Sequence, residues 1–176
     1  MLGAAGALCC LAAGTAVGGW MKIQRSARLE LLRSAVEMLN AMRLLLETER
    51  LSLPELLETC AEHGGSSEAA QLIRRRFRHA AQHLRQEPLS GVSAAYTAAC
   101  ACHPCSWEHA EERAALENLF AQLGSGTAAM REQAAAACIR RLKPLCEKAQ
   151  ADAEKGGRLC IQLGMLLGLM AGILFW

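Results

Sequence analysis

The sequence predicts an all-α protein: a charged helical bundle with an uncharged, apolar helix at each end. The chain is rich in Ala, Leu, Glu, Arg and Gln and poor in Val, Ile and Thr, and aromatics make up only 4% of it. That composition favours helices and argues against a sheet. Every Lys, Arg, Asp and Glu lies between Lys22 and Arg158. Within that charged middle, apolar residues return at three- and four-residue steps, the period of a helix with one buried stripe.

The first element is Met1–Met21, uncharged, with Gly14 and Gly18 forming a G-x-x-x-G pair. A cleaved signal peptide has a basic region ahead of its apolar core. Here the basic residues Lys22, Arg25, Arg28 and Arg33 all follow it, so an uncleaved anchor is expected. Arg25–Thr48 is the clearest helix, with Leu29, Leu32, Val36, Leu39, Met42 and Leu46 on one stripe and Arg33 and Glu37 able to pair outside it. No breaker separates it from the first span, so the two are expected to form one long helix.

Ser52-Leu53-Pro54 opens the next helix, because a proline in the first turn loses no hydrogen bond. Leu53, Leu56, Leu57 and Cys60 form its buried side, and Gly64-Gly65 ends it. Ser66 or Ser67 caps a helix running to about Gln86, and Pro88 and Gly91 punctuate. A shorter helix follows from Val92 to about Ala101. Ser106 is the expected cap of a helix ending at Leu123, stopped by Gly124-Ser-Gly126. Thr127 caps the last long helix, with Met130, Ala134, Cys138, Leu142, Leu145 and Ala149 on one side. Pro144 is expected to kink it and Gly156-Gly157 to act as a hinge.

The final stretch, Leu159–Trp176, reads LCIQLGMLLGLMAGILFW. At about 1.5 Å per residue it is long enough for a hydrocarbon core of about 30 Å. Gly164, Gly168 and Gly172 recur every fourth residue and line one side, where another helix could approach closely. Basic residues that flank spans stay in the cytoplasm, and Lys22, Arg25 and Arg28 on one side and Lys148, Lys155 and Arg158 on the other agree. The expected organisation is a transmembrane helix at 1–21, a cytoplasmic helical domain at 22–158 and a second transmembrane helix at 159–176.

A formal net charge of +2 does not point to nucleic acid. The nine cysteines suit a reducing compartment better than a disulfide framework. Two clusters stand out. Cys100, Cys102, His103, Cys105 and His109 could hold zinc as a membrane-tethered sensor, although C-x-C-x-x-C is not the paired spacing of structural zinc sites. The other reading is an interhelix loop in which cysteine is a small apolar residue. Arg74, Arg75, Arg76 and Arg78 form the densest basic run, joined by Arg140 and Arg141 as candidate partner-binding residues. Three successive arginines cover more than half a helix's circumference, so most should face water, anionic headgroups or an acidic partner. No P-loop, H-E-x-x-H or G-x-S-x-G occurs, and Asp152 is the only aspartate, so no enzyme and no cofactor is expected.

The hairpin plan of two spans around a helical middle resembles that of the stage III sporulation protein AB family. So do four local runs. These are Arg25-Ser-Ala-Arg-Leu29-Glu-Leu-Leu32 leading into Met38-Leu39, and Leu51-Ser52-Leu53-Pro54-Glu55-Leu56-Leu57. The others are Leu119-Phe120-Ala-Gln-Leu123-Gly124 with Gln133 nine residues on, and Leu163-Gly164-Met-Leu-Leu-Gly168-Leu169. The Cys–His cluster is not part of the family pattern. The resemblance implies a middle similar to the cytoplasmic helical domain of type II secretion F proteins. It also implies a non-enzymatic inner-membrane platform in the channel between mother cell and forespore, needed for spore formation. Its expected place is the mother-cell membrane around the forespore, beside a secretion-type ATPase of the same operon and other channel membrane proteins, with self-association left open. If the glycine face of the last span packs against another helix, Gly168→Leu should weaken assembly while the middle stays folded, read as a loss of complex on native gels of detergent extracts.

Overall fold

The computed structural model describes the backbone of residues 2–48, 51–106 and 108–174, and the side chains of 19–20, 23–48, 51–106 and 108–154. The described residues form six α-helices and no strand: α1 Leu2–Thr48, α2 Leu53–Glu62, α3 Glu68–Gln86, α4 Val92–Cys102, α5 Ala110–Leu123 and α6 Ala128–Leu174. The chain divides into two compact units, one of Met1–Ser26 with Lys148–Trp176 and the other of Ala27–Glu147.

In the chain-end unit, α1 and α6 have continuous helical backbone, as expected for the two uncharged ends. The surroundings of Gly14, Gly18, Gly164, Gly168 and Gly172 lie outside what is described. Among the described residues no helix is long and apolar enough to cross a membrane. The helix α6 runs without interruption through both Pro144 and Gly156-Gly157.

The Ala27–Glu147 unit holds the core. On α1, Leu29, Leu32, Leu39 and Met42 are buried as predicted, and Leu31, Ala35 and Met38 join them. The buried face is thus wider than a single stripe, which is what a helix covered from two sides requires. The short helices follow the 3.6-residue period closely. On α4, Val92, Ala95, Tyr96, Ala99 and Cys100 are buried; on α5, Glu112, Ala115, Leu116, Leu119, Phe120 and Leu123. Three aromatics meet where α3, α4 and α5 converge. Tyr96 stacks on Phe120 at 4.0 Å between centroids, and Phe77 meets the Phe120 ring edge-on at 5.3 Å. Ala80 and Ala81 of α3 and Ala95 and Ala99 of α4 have no exposed surface. Such small side chains let helix backbones approach closely without leaving voids.

The helix starts obey local chemistry, with one correction. Ser67 caps α3 by accepting the Ala70 N–H at 3.2 Å, and the Glu55 carboxylate accepts the Ser52 N–H at 3.0 Å ahead of α2. Thr127 Oγ1 accepts the Met130 N–H at 3.4 Å to start α6. Ser106, however, does not cap α5. The cap is His109, whose N–H is accepted by Glu112 at 3.0 Å, so the helix begins three residues later than predicted.

Gly91 precedes α4 with φ 79° and ψ 153°, a region that is essentially closed to residues with a Cβ. A Cβ there would meet nothing within 4 Å, so backbone strain is the whole cost. Gly91→Ala should therefore lower the unfolding free energy by about 1–3 kcal/mol, seen as a lower urea midpoint for the full chain in detergent. An unchanged midpoint would show that the turn relaxes freely.

Candidate functional site: the arginine run of α3 and the loop it holds

The arginines of α3 have separate fates because successive residues on a helix point about 100° apart. Arg76 lies on the buried stripe, three residues after Ile73 and four before Ala80, and has no exposed surface. Its Nε donates to the His103 carbonyl at 2.9 Å, and its Nη1 donates to Glu108 Oε2 at 2.7 Å. Burial by itself would pull the Arg76 guanidinium down. The hydrogen-bonded Glu108 carboxylate outweighs that and holds it above its ordinary value. Arg74 is half-buried, and its Nε donates at 2.6 Å to the carbonyl of Ala61 in the last turn of α2. That carbonyl has no partner within its own helix, and a cation there suits the helix dipole. Gly64 leaves room for this arm, since a Cβ on it would lie 2.8 Å from Arg74 Cγ.

Arg76 is therefore withdrawn from the set of partner-binding arginines: its charge is spent inside the bundle. Arg75 and Arg78 on α3, and Arg140 and Arg141 on α6, are exposed and enter no ion pair among the described residues.

The Cys–His run follows the same logic. Cys100 is buried on α4, while Cys102, two residues on, points away and is exposed. The His103 ring meets His79 edge-on at 5.6 Å. Desolvation, then His79, Arg75 and Arg76, hold the His103 imidazole below its ordinary value. Cys105 lines a hollow of about 280 Å³ with Leu72, Arg75, Pro104 and Ser106. Among the described residues no group of three or more His, Cys, Asp or Glu is placed to hold a metal ion. The predicted zinc alternative on Cys100, Cys102, Cys105 and His109 is thus not supported, because a helix that buries one thiol turns the next out. Trp107 lies outside the described residues. The buried thiols elsewhere are apolar filler: burial pushes both Cys60 and Cys138 up to about 12, far from the reactive thiolate.

Sequence reasoning missed a second set of residues, the Arg–Glu pairs that tie element to element. Arg28 of α1 forks onto Glu112 Oε1 of α5, with Nε at 2.8 Å, while Glu112 Oε2 takes the His109 N–H. Arg43 of α1 reaches Glu132 of α6 at 3.1 Å. Arg85 of α3 grips Glu58 of α2 with two bonds, at 2.7 and 2.6 Å. A signal for one of them existed: like Arg76, Glu112 is a charged residue at a position where the helical period demands an apolar one.

These features define a class: an all-helical bundle braced by interhelix Arg–Glu pairs, with a second set of arginines left at the surface. The sequence model of the stage III sporulation protein AB family matches residues 3–176. The chain belongs to that family, and its role accordingly falls in stage III of spore formation. No curated protein and no solved structure matches the chain.

Removing one partner of a buried pair strands the other charge, at a cost of about 3–5 kcal/mol. Arg76→Leu should therefore lower the full chain's stability in a urea melt by that amount, and adding Glu108→Leu should restore part of it. An additive double variant would show that the two groups do not act as a pair.

Proposed function

We propose that this chain is a non-enzymatic membrane platform in the channel complex between mother cell and forespore. Its uncharged ends anchor it in the mother-cell membrane around the forespore, with the middle cytoplasmic. The helical middle resembles the cytoplasmic domain of type II secretion F proteins. It presents Arg75, Arg78, Arg140 and Arg141 to an acidic surface of the secretion-type ATPase or of neighbouring channel proteins. The observation that carries this reading is membership of the stage III sporulation protein AB family over nearly the whole chain. Exposed arginines on a bundle whose Arg28, Arg43, Arg74, Arg76 and Arg85 are committed to bonds between elements support the choice of contact residues.

Charge reversal at a docking face costs affinity without touching the core. Arg75→Glu with Arg78→Glu, and separately Arg140→Glu with Arg141→Glu, should each weaken co-purification of the ATPase about tenfold. Spore counts should fall while the far-UV circular dichroism is unchanged. Full spore counts and full co-purification in both variants would refute the assignment.

A further inference from the structure

In the unit formed by the chain ends, Trp20 is 61% exposed and Ile23 is 64% exposed. They stand three residues apart on α1 and so share a face. Gly19 adjoins them, and a Cβ built on it would meet nothing within 4 Å. That side of the helix is open at this level. A large apolar pair left uncovered marks an interaction surface.

The flanking chain indicates what covers it. No charged residue precedes Trp20, whereas Lys22, Arg25 and Arg28 follow it. Arg28 is committed to Glu112, but Arg25 enters no ion pair among the described residues. Along one helix the order is therefore uncharged run, indole, cation. A lipid bilayer presents the complementary order of hydrocarbon, interfacial layer and anionic phosphate. The indole suits the middle layer, since it offers a broad apolar body and one N–H.

We infer that Trp20 and Ile23 seat in the interfacial layer of an anionic bilayer, with Arg25 against its phosphates, and so set the depth of α1. This rests on the membrane anchorage proposed above.

The test uses the full chain with Trp107→Phe and Trp176→Phe, leaving Trp20 as the sole tryptophan, excited selectively at its red edge, in vesicles of phosphatidylcholine with a minority of phosphatidylglycerol. Bromine is placed high on the lipid chain, midway along it, or near its end. Quenching should be at least about twofold stronger for the highest position than for the deepest, as an indole at headgroup level requires. Protein that floats with the vesicles but shows unquenched, water-like emission would overturn the inference and leave the anchorage standing. Strongest quenching by the deepest bromine would do the same. Protein that fails to float would overturn both.

Discussion

A guanidinium with no exposed surface must be neutralised where it sits, and much of this bundle follows from meeting that demand at Arg76. Glu108 supplies the countercharge and the His103 carbonyl supplies a further acceptor, so the segment between α4 and α5 is held against α3. Helix α5 starts at Ala110, where the Glu112 carboxylate closes on the His109 N–H. The later start places Glu112 in the first turn, where one oxygen takes the His109 N–H and the other takes Arg28. One buried charge on α3 thus leads, by successive contacts, to a link between α5 and α1.

Such pairs do not supply the bulk of the stability. A buried ion pair adds little over an apolar pair of the same shape, because desolvation offsets the attraction. The half-exposed Arg85–Glu58 pair is worth about 1 kcal/mol or less. The driving force is burial of Leu, Met, Ala and the Phe77–Tyr96–Phe120 aromatic group. What the charges add is definition, since a guanidinium fork accepts a carboxylate in few orientations whereas leucines pack in many.

This division of labour bears on function. Arginines that brace the bundle cannot bind a partner, and arginines left at the surface cost little to keep there. The platform role proposed above would need both: a scaffold stiff enough to hold its shape and a charged surface for docking. The structure separates the two within a single run, with Arg74 and Arg76 turned to the scaffold and Arg75 and Arg78 turned outward.

Local order was legible in the sequence because it depends on neighbours in the chain. Apolar period placed the six helices, and Ser67, Thr127, Pro54, Gly64-Gly65 and Gly124 marked most of their ends. Family membership was legible too, from several weak runs in a fixed order. The later start of α5 was not, because Ser106 is the more usual cap residue while the observed start is made by Glu112 closing on the His109 N–H. Nor was the scatter of the Cys–His run, because helix geometry turns Cys100 inward and Cys102 outward whatever their closeness in sequence. The sequence by itself determined which segments are helical and which faces are apolar, through periodicity and turn chemistry. Only the tertiary structure decided which charges are buried and paired, because a carboxylate's distance in space from a guanidinium is set by how helices pack, and no spacing along the chain encodes it.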